Sequence, residues 1–169
     1  MVRSLVLAVF FLFFSVSCAY ATRIGFVDTR RVLRESQLSH EAEQRLSKEF
    51  ESRLQRVNDL ESKLNSIQSN MDVAGHKLSY DERHELELSY NEVSSELRIA
   101  KREFAEELNH RRNEEYQKII RSANAVVRNI ASRERYDAIL QEAVYVSKSV
   151  DITDQVLIQL RHLPSNSGK

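Results

Sequence analysis

The stretch AEQRLSKEFESRLQRVNDLESKLNSIQSNM, residues 42–71, decides the architecture. Its apolar side chains are Ala42, Leu46, Phe50, Leu54, Val57, Leu60, Leu64, Ile67 and Met71, at steps of 4, 4, 4, 3, 3, 4, 3 and 4. A repeat alternating between three and four residues is the signature of a helix with one apolar stripe. Almost everything between these positions is charged or carries an amide. So thin a stripe on so long a helix is not stable alone and calls for a partner helix.

Moving outward toward the C-terminus, the stripe breaks at Val73-Ala74-Gly75-His76-Lys77-Leu78. Gly75 suits a helix end that needs a positive φ. Ser79-Tyr80-Asp81-Glu82 has the S-x-x-E form of a capping box and starts a second helix. A second stripe follows at Leu86, Tyr90, Val93, Leu97, Ala100, Phe104 and Leu108. It skips Arg112 and resumes at Tyr116, Ile119, Ala123, Val126 and Ile130. The gap reads as a local slip in the heptad register. The second helix is about 55 residues, or ~80 Å at 1.5 Å per residue. Two long striped helices joined by a tight turn form an antiparallel hairpin. Near Tyr116 the stripe widens to include Ile120 and Val127, so the base of the arm packs on more than one element.

The flanks carry strand material. Arg23-Ile24-Gly25-Phe26-Val27-Asp28 is short, β-branched and aromatic, and reads as a strand. Thr29 is positioned to cap a brief helical turn holding Val32 and Leu33, and Ser36 or Ser39 to cap the long helix. After Ser132, Tyr136-Asp137-Ala138-Ile139-Leu140 and Ala143-Val144-Tyr145-Val146 are two β-type runs around Gln141-Glu142, read as a hairpin. Asp151-Ile152-Thr153-Asp154 opens a last helix carrying Val156, Leu157 and Leu160, stopped by Pro164. Three strands and short helices make too small a core for one chain. Copies of the chain are therefore expected to pool their strands.

Residues 1–21 are of a different kind. Arg3 is their only charge, and it precedes an apolar run from Leu5 to Phe14 and an Ala19-Tyr20-Ala21 ending. That describes a secretory signal peptide cleaved after Ala21. The run falls short of the ~20 residues that span a bilayer. Lipoprotein processing at Cys18 is the alternative, and Ser15 stands where it requires a branched aliphatic residue. Cleavage removes the only cysteine and leaves a chain of 24 bases and 25 acids, net −1. An exported chain without disulfides depends on burial and association for its stability.

Composition narrows the function. From Thr22 onward the chain is about 35% hydrophobic and about one third charged, with three glycines and one proline in the full 169 residues. No glycine pattern cradles a phosphate. His84-Glu85 opens like a zinc-protease helix, but Leu88 replaces the second histidine, and His40, His76, His84, His110 and His162 share no ligand spacing. The pairs Glu106-Glu107 and Glu114-Glu115 read as solvated helix faces rather than acid–base couples. Arg98, Lys101, Arg102, His110, Arg111, Arg112, Lys118 and Arg121 form a broken basic stretch, too interleaved with acids for a nucleic-acid partner. Neither an enzyme nor a cofactor protein is expected; a scaffold, adaptor or binding protein is.

The ends and the arm together resemble the Skp/OmpH family of periplasmic chaperones. The resemblance rests on Ile24-Gly25-Phe26-Val27-Asp28 with Val32 and Ser36, on Arg112-Asn113-Glu114-Glu115 with Lys118, on Tyr136-Asp137-Ala138-Ile139-Leu140 with Ala143-Val144-Tyr145, and on Asp151-Ile152-Thr153 with Val156-Leu157. It implies a mainly α chain with a small β part: a helical hairpin arm on a small β-barrel body completed by trimerisation. The body would comprise residues 22–38 and 133–164, the arm 39–132 with its turn near 73–79, and the tail 165–169 would be disordered. Ile24, Phe26, Ile139, Leu140, Val144 and Val146 are the candidate trimer core. Arg98, Lys101, Arg102, Arg111, Arg112 and Lys118 are the candidate client-facing residues of the arm. The implied function is ATP-independent holding of unfolded outer-membrane β-barrel proteins in the periplasm, in a cavity between three arms. Outer-membrane assembly machinery and membrane lipid are further partners the resemblance leaves open. A structural envelope protein whose coiled-coil arm spaces other components is the rival reading. Well-known members are strongly basic and this chain is neutral, so no lipopolysaccharide-binding set is carried over.

Overall fold

The computed structural model describes residues 22–74 and 78–163. The expected signal segment, the Gly75 turn residue, Pro164 and the C-terminal tail lie outside the described residues. The elements in chain order are β1 (Ile24–Phe26), α1 (Thr29–Glu35), α2 (Gln37–Ala74), α3 (Tyr80–Glu134), β2 (Ala138–Leu140) and α4 (Thr153–Arg161). No helix among the described residues is long and apolar enough to cross a membrane.

The helix ends follow from local chemistry. Asp28, not Thr29, caps α1: its Oδ1 accepts from the amides of Arg30 (2.9 Å) and Arg31 (3.1 Å), and Thr29 is the first helical residue. An aspartate in extended backbone one residue earlier reaches those amides better than a threonine already in the helix. Ser36 Oγ accepts from Ser39 N at 3.2 Å and shares a hydrogen bond with Ser39 Oγ at 2.8 Å, so both serines serve the start of α2 while buried. The capping box forms as spaced: Ser79 Oγ accepts from Glu82 N at 3.3 Å, and Ser79 N donates to Glu82 Oε2 at 2.8 Å. At the far end Arg135 adopts φ 56°, ψ 47° and turns the chain out of α3, with Tyr136 N donating to Ala131 O.

Helices α2 and α3 pack along their stripes. Val57, Leu60, Ile67, Val93, Leu97 and Ala100 form the buried seam of the outer arm, and Phe50 meets Phe104 edge-to-face at 5.9 Å. Leu54 is an exception, almost half exposed. Three successive four-residue steps from Ala42 carry the stripe about 120° around a 3.6-residue helix, and Leu54 sits at the extreme of that drift before three-residue steps bring it back. The gap in the stripe does not interrupt the helix. Helix α3 runs unbroken, and the seam continues through Leu108, Arg111, Glu115 and Ile119, with charged residues in apolar places.

The body gathers the segments on either side of the arm against the base of the hairpin. Val27, Val32, Ile130, Ile152, Val156 and Leu160 anchor its core, with Ile119, Ala123 and Val126 of α3 packed into it. The strand arrangement differs from the expected hairpin. Strand β2 pairs in parallel with β1, in the register Ile24↔Ala138, Gly25↔Ile139 and Phe26↔Leu140. The other edge of β1 receives residues 150–152: Phe26 N donates to Val150 O at 2.8 Å, and Ile152 N donates to Phe26 O at 2.9 Å. Pairing is parallel because the whole arm acts as the crossover and returns the chain to the same end of the body. Gly25 is required by close approach, since a Cβ there would lie 3.2 Å from the Tyr136 ring and 3.3 Å from Ile139 Cγ1.

The expected strand at Ala143–Val146 is not formed. The segment runs irregularly, with Val144 fully exposed and Tyr145 82% exposed. Its residues favour pleated backbone, but both edges of β1 are taken, and among the described residues the outer edge of β2 stays unpaired.

Candidate functional site

Two features of the described residues stand apart from ordinary packing: a buried ionic cluster where arm meets body, and an apolar margin left open on the body.

The cluster centres on Glu115, only 3% exposed, in the seam of α3. Its Oε2 accepts from Arg45 Nη2 at 2.9 Å, across the hairpin from α2. Its Oε1 accepts from Lys118 Nζ at 2.7 Å and lies 3.5 Å from Arg111 Nη2. Arg111 in turn grips Glu49 of α2 in a fork, Nε to Oε1 at 2.9 Å and Nη2 to Oε2 at 3.1 Å, and bonds Glu114. Burial by itself pushes the Glu115 carboxyl up; the hydrogen bonds and charges of Lys118 and Arg45 outweigh it and hold the pKa below the usual glutamate value. Glu49 is likewise held low, by its hydrogen bonds from Arg111. A buried carboxylate is tolerated only when paired in this way. Glu115 therefore departs from the solvated face expected of the Glu114-Glu115 pair. Its signal in the sequence was the interrupted stripe, where 108, 111, 115 and 119 keep helical spacing with charges in the middle.

The open margin lies along the sheet. Of the candidate trimer-core residues, Ile24 and Leu140 are nearly half exposed, Phe26, Ile139 and Val146 partly buried, and Val144 fully exposed. Ile139 packs on the body core. A groove of about 490 Å³, lined by Phe26, Asp28, Thr29, Arg30, Gln141 and Glu142, opens between the start of α1 and the segment leaving β2. Arg23 secures the near end of the sheet, its guanidinium 4.2 Å from the centre of the Tyr136 ring and 3.2 Å from Glu134 Oε2. Arg31 secures the other, 2.7 Å from Asp154 and 3.1 Å from Glu35. Asp28 N donates to the buried Thr153 Oγ1 at 2.9 Å, fastening α4 to α1.

The basic stretch divides in two. Arg111 and Lys118 belong to the Glu115 cluster, and Lys101 pairs with Glu61 across the hairpin at 2.5 Å. Arg98, Arg102 and Arg112 are exposed, with no ion pair among the described residues. No group of three metal-ligating side chains occurs among the described residues.

A long arm of two helices pinned to each other by ion pairs at its root, on a small body whose sheet ends in exposed apolar residues, defines an arm-bearing binding protein, without a catalytic constellation among the described residues. Residues 23–160 match the family described as outer membrane protein (OmpH-like), and the chain belongs to that family. Among its relatives, Chaperone protein Skp of Yersinia enterocolitica is 24% identical over 143 residues, covering 83% of this chain and 87% of that one. The Skp-like protein of Chlamydia pneumoniae is 21% identical over 159 residues, covering 92% and 93%. In solved structures, a chain described as an OmpH-like outer membrane chaperone of Caulobacter crescentus CB15 superposes with a TM-score of 0.69 at 11% identity, covering 86% of this chain and 87% of its own. That likeness shows the same fold.

Proposed function

We propose that this chain is the subunit of a homotrimeric, ATP-independent periplasmic chaperone that holds unfolded outer-membrane β-barrel proteins between its arms until they are inserted. Export by a signal peptide cleaved after Ala21 is part of the proposal. The family and the chaperone relatives support the general activity. The observation that carries the assembly is the exposed β-forming segment 143–146 beside the open edge of β2. A bare strand edge together with exposed apolar side chains supports coverage by another chain. Ile24, Phe26, Ile139, Leu140, Val144 and Val146 are the residues proposed to meet between subunits.

In this reading the arms are walls and the body is the hinge-free ring from which they project. The Glu115 cluster holds α2 and α3 in one register at the root of each arm, so the arms leave the body at a set angle. Arg98, Arg102 and Arg112, free of partners among the described residues, are the basic side chains available to a client; Lys101, Arg111 and Lys118 already serve the hairpin. No nucleotide or metal takes part.

The test is a dilution assay: a urea-unfolded outer-membrane β-barrel protein is diluted into buffer with and without the chain, and scattering is followed while native mass is measured in parallel. Suppression of aggregation at one trimer per client is the expected result. A chain that associates but leaves aggregation unchanged is a structural spacer, and the holdase reading fails.

A further inference from the structure

The outer arm is electrically unlike the rest of the molecule. Between Asp59 and Glu96 stand nine acids and three bases, net −6, while the remainder of the chain from Thr22 has 16 acids and 21 bases, net +5. Among the described residues, pairing with the rest of the chain neutralises only one of these acids, Glu61 with Lys101. Asp81, Glu85, Glu87, Glu92 and Glu96 of α3 are exposed and make no ion pair among the described residues.

The same region exposes large apolar side chains. Tyr80 is 83% exposed and stacks on His84, with ring centres 6.3 Å apart and planes 9° from parallel. Val73, at the end of α2, is 80% exposed, and Leu88 is 55% exposed. Leu88 falls midway between the seam residues Leu86 and Tyr90, which puts it on the far side of α3 from α2. Around it, Asp81, Glu85, Leu88, Glu92 and Ile99 succeed one another at steps of 4, 3, 4 and 7, a single outward row that sets two aliphatic side chains among three acids. Nothing in the hairpin needs that row: the seam is already complete on the opposite side.

From these observations we infer that the acidic outer third of the arm, centred on Leu88 between Glu85 and Glu92, is a docking surface for a cationic amphipathic polypeptide segment. Such a segment supplies apolar side chains to Leu88, Ile99 and Tyr80 and ammonium or guanidinium groups to the carboxylates beside them. Charge complementarity selects this occupant. An acidic segment or an anionic lipid surface meets net −6 at close range, and like charges within the ~8 Å screening length at physiological salt repel. The inference goes beyond the trimer and holdase reading and does not need it, since every residue invoked lies on one hairpin.

The probe is a fluorescently labelled helical peptide of lysine and leucine, titrated with the protein by anisotropy, beside a glutamate–leucine peptide of the same pattern and phosphatidylglycerol vesicles. The lysine–leucine peptide is expected to bind, and its affinity to fall about tenfold or more between about 50 and 300 mM salt as the charges are screened. Glu85→Gln, Glu87→Gln and Glu92→Gln combined should weaken it about tenfold, and Leu88→Ser alone should weaken it at all salt concentrations. Arg98→Gln with Arg102→Gln should not weaken it. Helix content by circular dichroism verifies that the variants fold. Should the triple variant unfold, the salt series on the parent and Leu88→Ser carry the same test. Equal or tighter binding of the glutamate–leucine peptide or the vesicles overturns the inference, as does an unchanged affinity in the folded tip variants. Loss of aggregation suppression with peptide binding intact would count against the holdase reading and leave this one standing.

Discussion

Replacing Glu115 by Gln keeps the side chain's size and removes its charge, leaving Arg45, Lys118 and Arg111 around a neutral amide. Two close charge-assisted hydrogen bonds are weakened, from Lys118 at 2.7 Å and Arg45 at 2.9 Å. Each such bond contributes about 1.5–3 kcal/mol. Arg45 and Lys118 are themselves about half exposed and regain water when released, and the amide no longer bears the desolvation of a buried charge, so both effects reduce the loss. The net destabilisation should be about 1–2 kcal/mol, equivalent to a fall of roughly 3–8 °C in Tm for a chain of this size. Urea and thermal melts followed by circular dichroism, at fixed protein concentration, measure it. The pH dependence is a sharper check. The folded-state pKa of Glu115 is depressed, so its contribution is complete above the unfolded value of about 4.3 and disappears as pH falls through the lower folded value. The difference between parent and Glu115→Gln should therefore be full at pH 7 and shrink below about pH 4. Glu115→Leu removes the acceptor of Arg45 and Lys118 altogether and should cost at least as much as Glu115→Gln, since only apolar replacement of the whole cluster is expected to be neutral. A Gln variant as stable as the parent at pH 7, or a difference that persists unchanged in acid, would refute the assignment of Glu115 as the paired charge that pins the arm.

Other consequences can be measured separately. Val144→Asp combined with Leu140→Asp should leave the monomer's helices intact and abolish the oligomer, read by light scattering over the micromolar range; a persisting trimer places the subunit contact elsewhere. Excising about Leu60 to Val93 should preserve the native oligomeric mass and lower the capacity to suppress client aggregation, because the two core clusters are separate. If the shortened chain loses its mass, body and arm are not independent units. Gly25→Ala should cost about 1–3 kcal/mol, the usual effect of overpacking, because its Cβ would meet the Tyr136 ring at 3.2 Å; a urea melt unshifted from the parent's would show that the ring yields freely. Ser79→Ala removes one side of the capping box and should cost about 1 kcal/mol, visible as earlier hydrogen exchange in the first turn of α3.

The arm was legible along the chain because its causes are local. Stripe spacing, the Ser79–Glu82 box and the break after Asp72 each act within a few residues, so the bounds of α2 and α3 and their antiparallel pairing follow from the sequence. The near-continuous stripe from Ile119 to Ile130 likewise pointed to the part of α3 that enters the body. The sheet was a different matter. Tyr136–Leu140 and Ala143–Val146 carry similar β-forming residues separated only by Gln141 and Glu142, and adjacency favours a hairpin. Which of them pairs with Ile24–Phe26, and in which direction, depends on where a crossover of more than a hundred residues returns the chain. Position 115 shows the same division. Helical spacing placed it on the seam, yet a glutamate there reads as solvated until Arg45, 70 residues earlier, is brought to 2.9 Å by the folded hairpin. Local periodicity therefore determined the helices, whereas strand order and the buried charge were decided by contacts between residues far apart in the chain, whose energies exist only once the arm has folded back on the body.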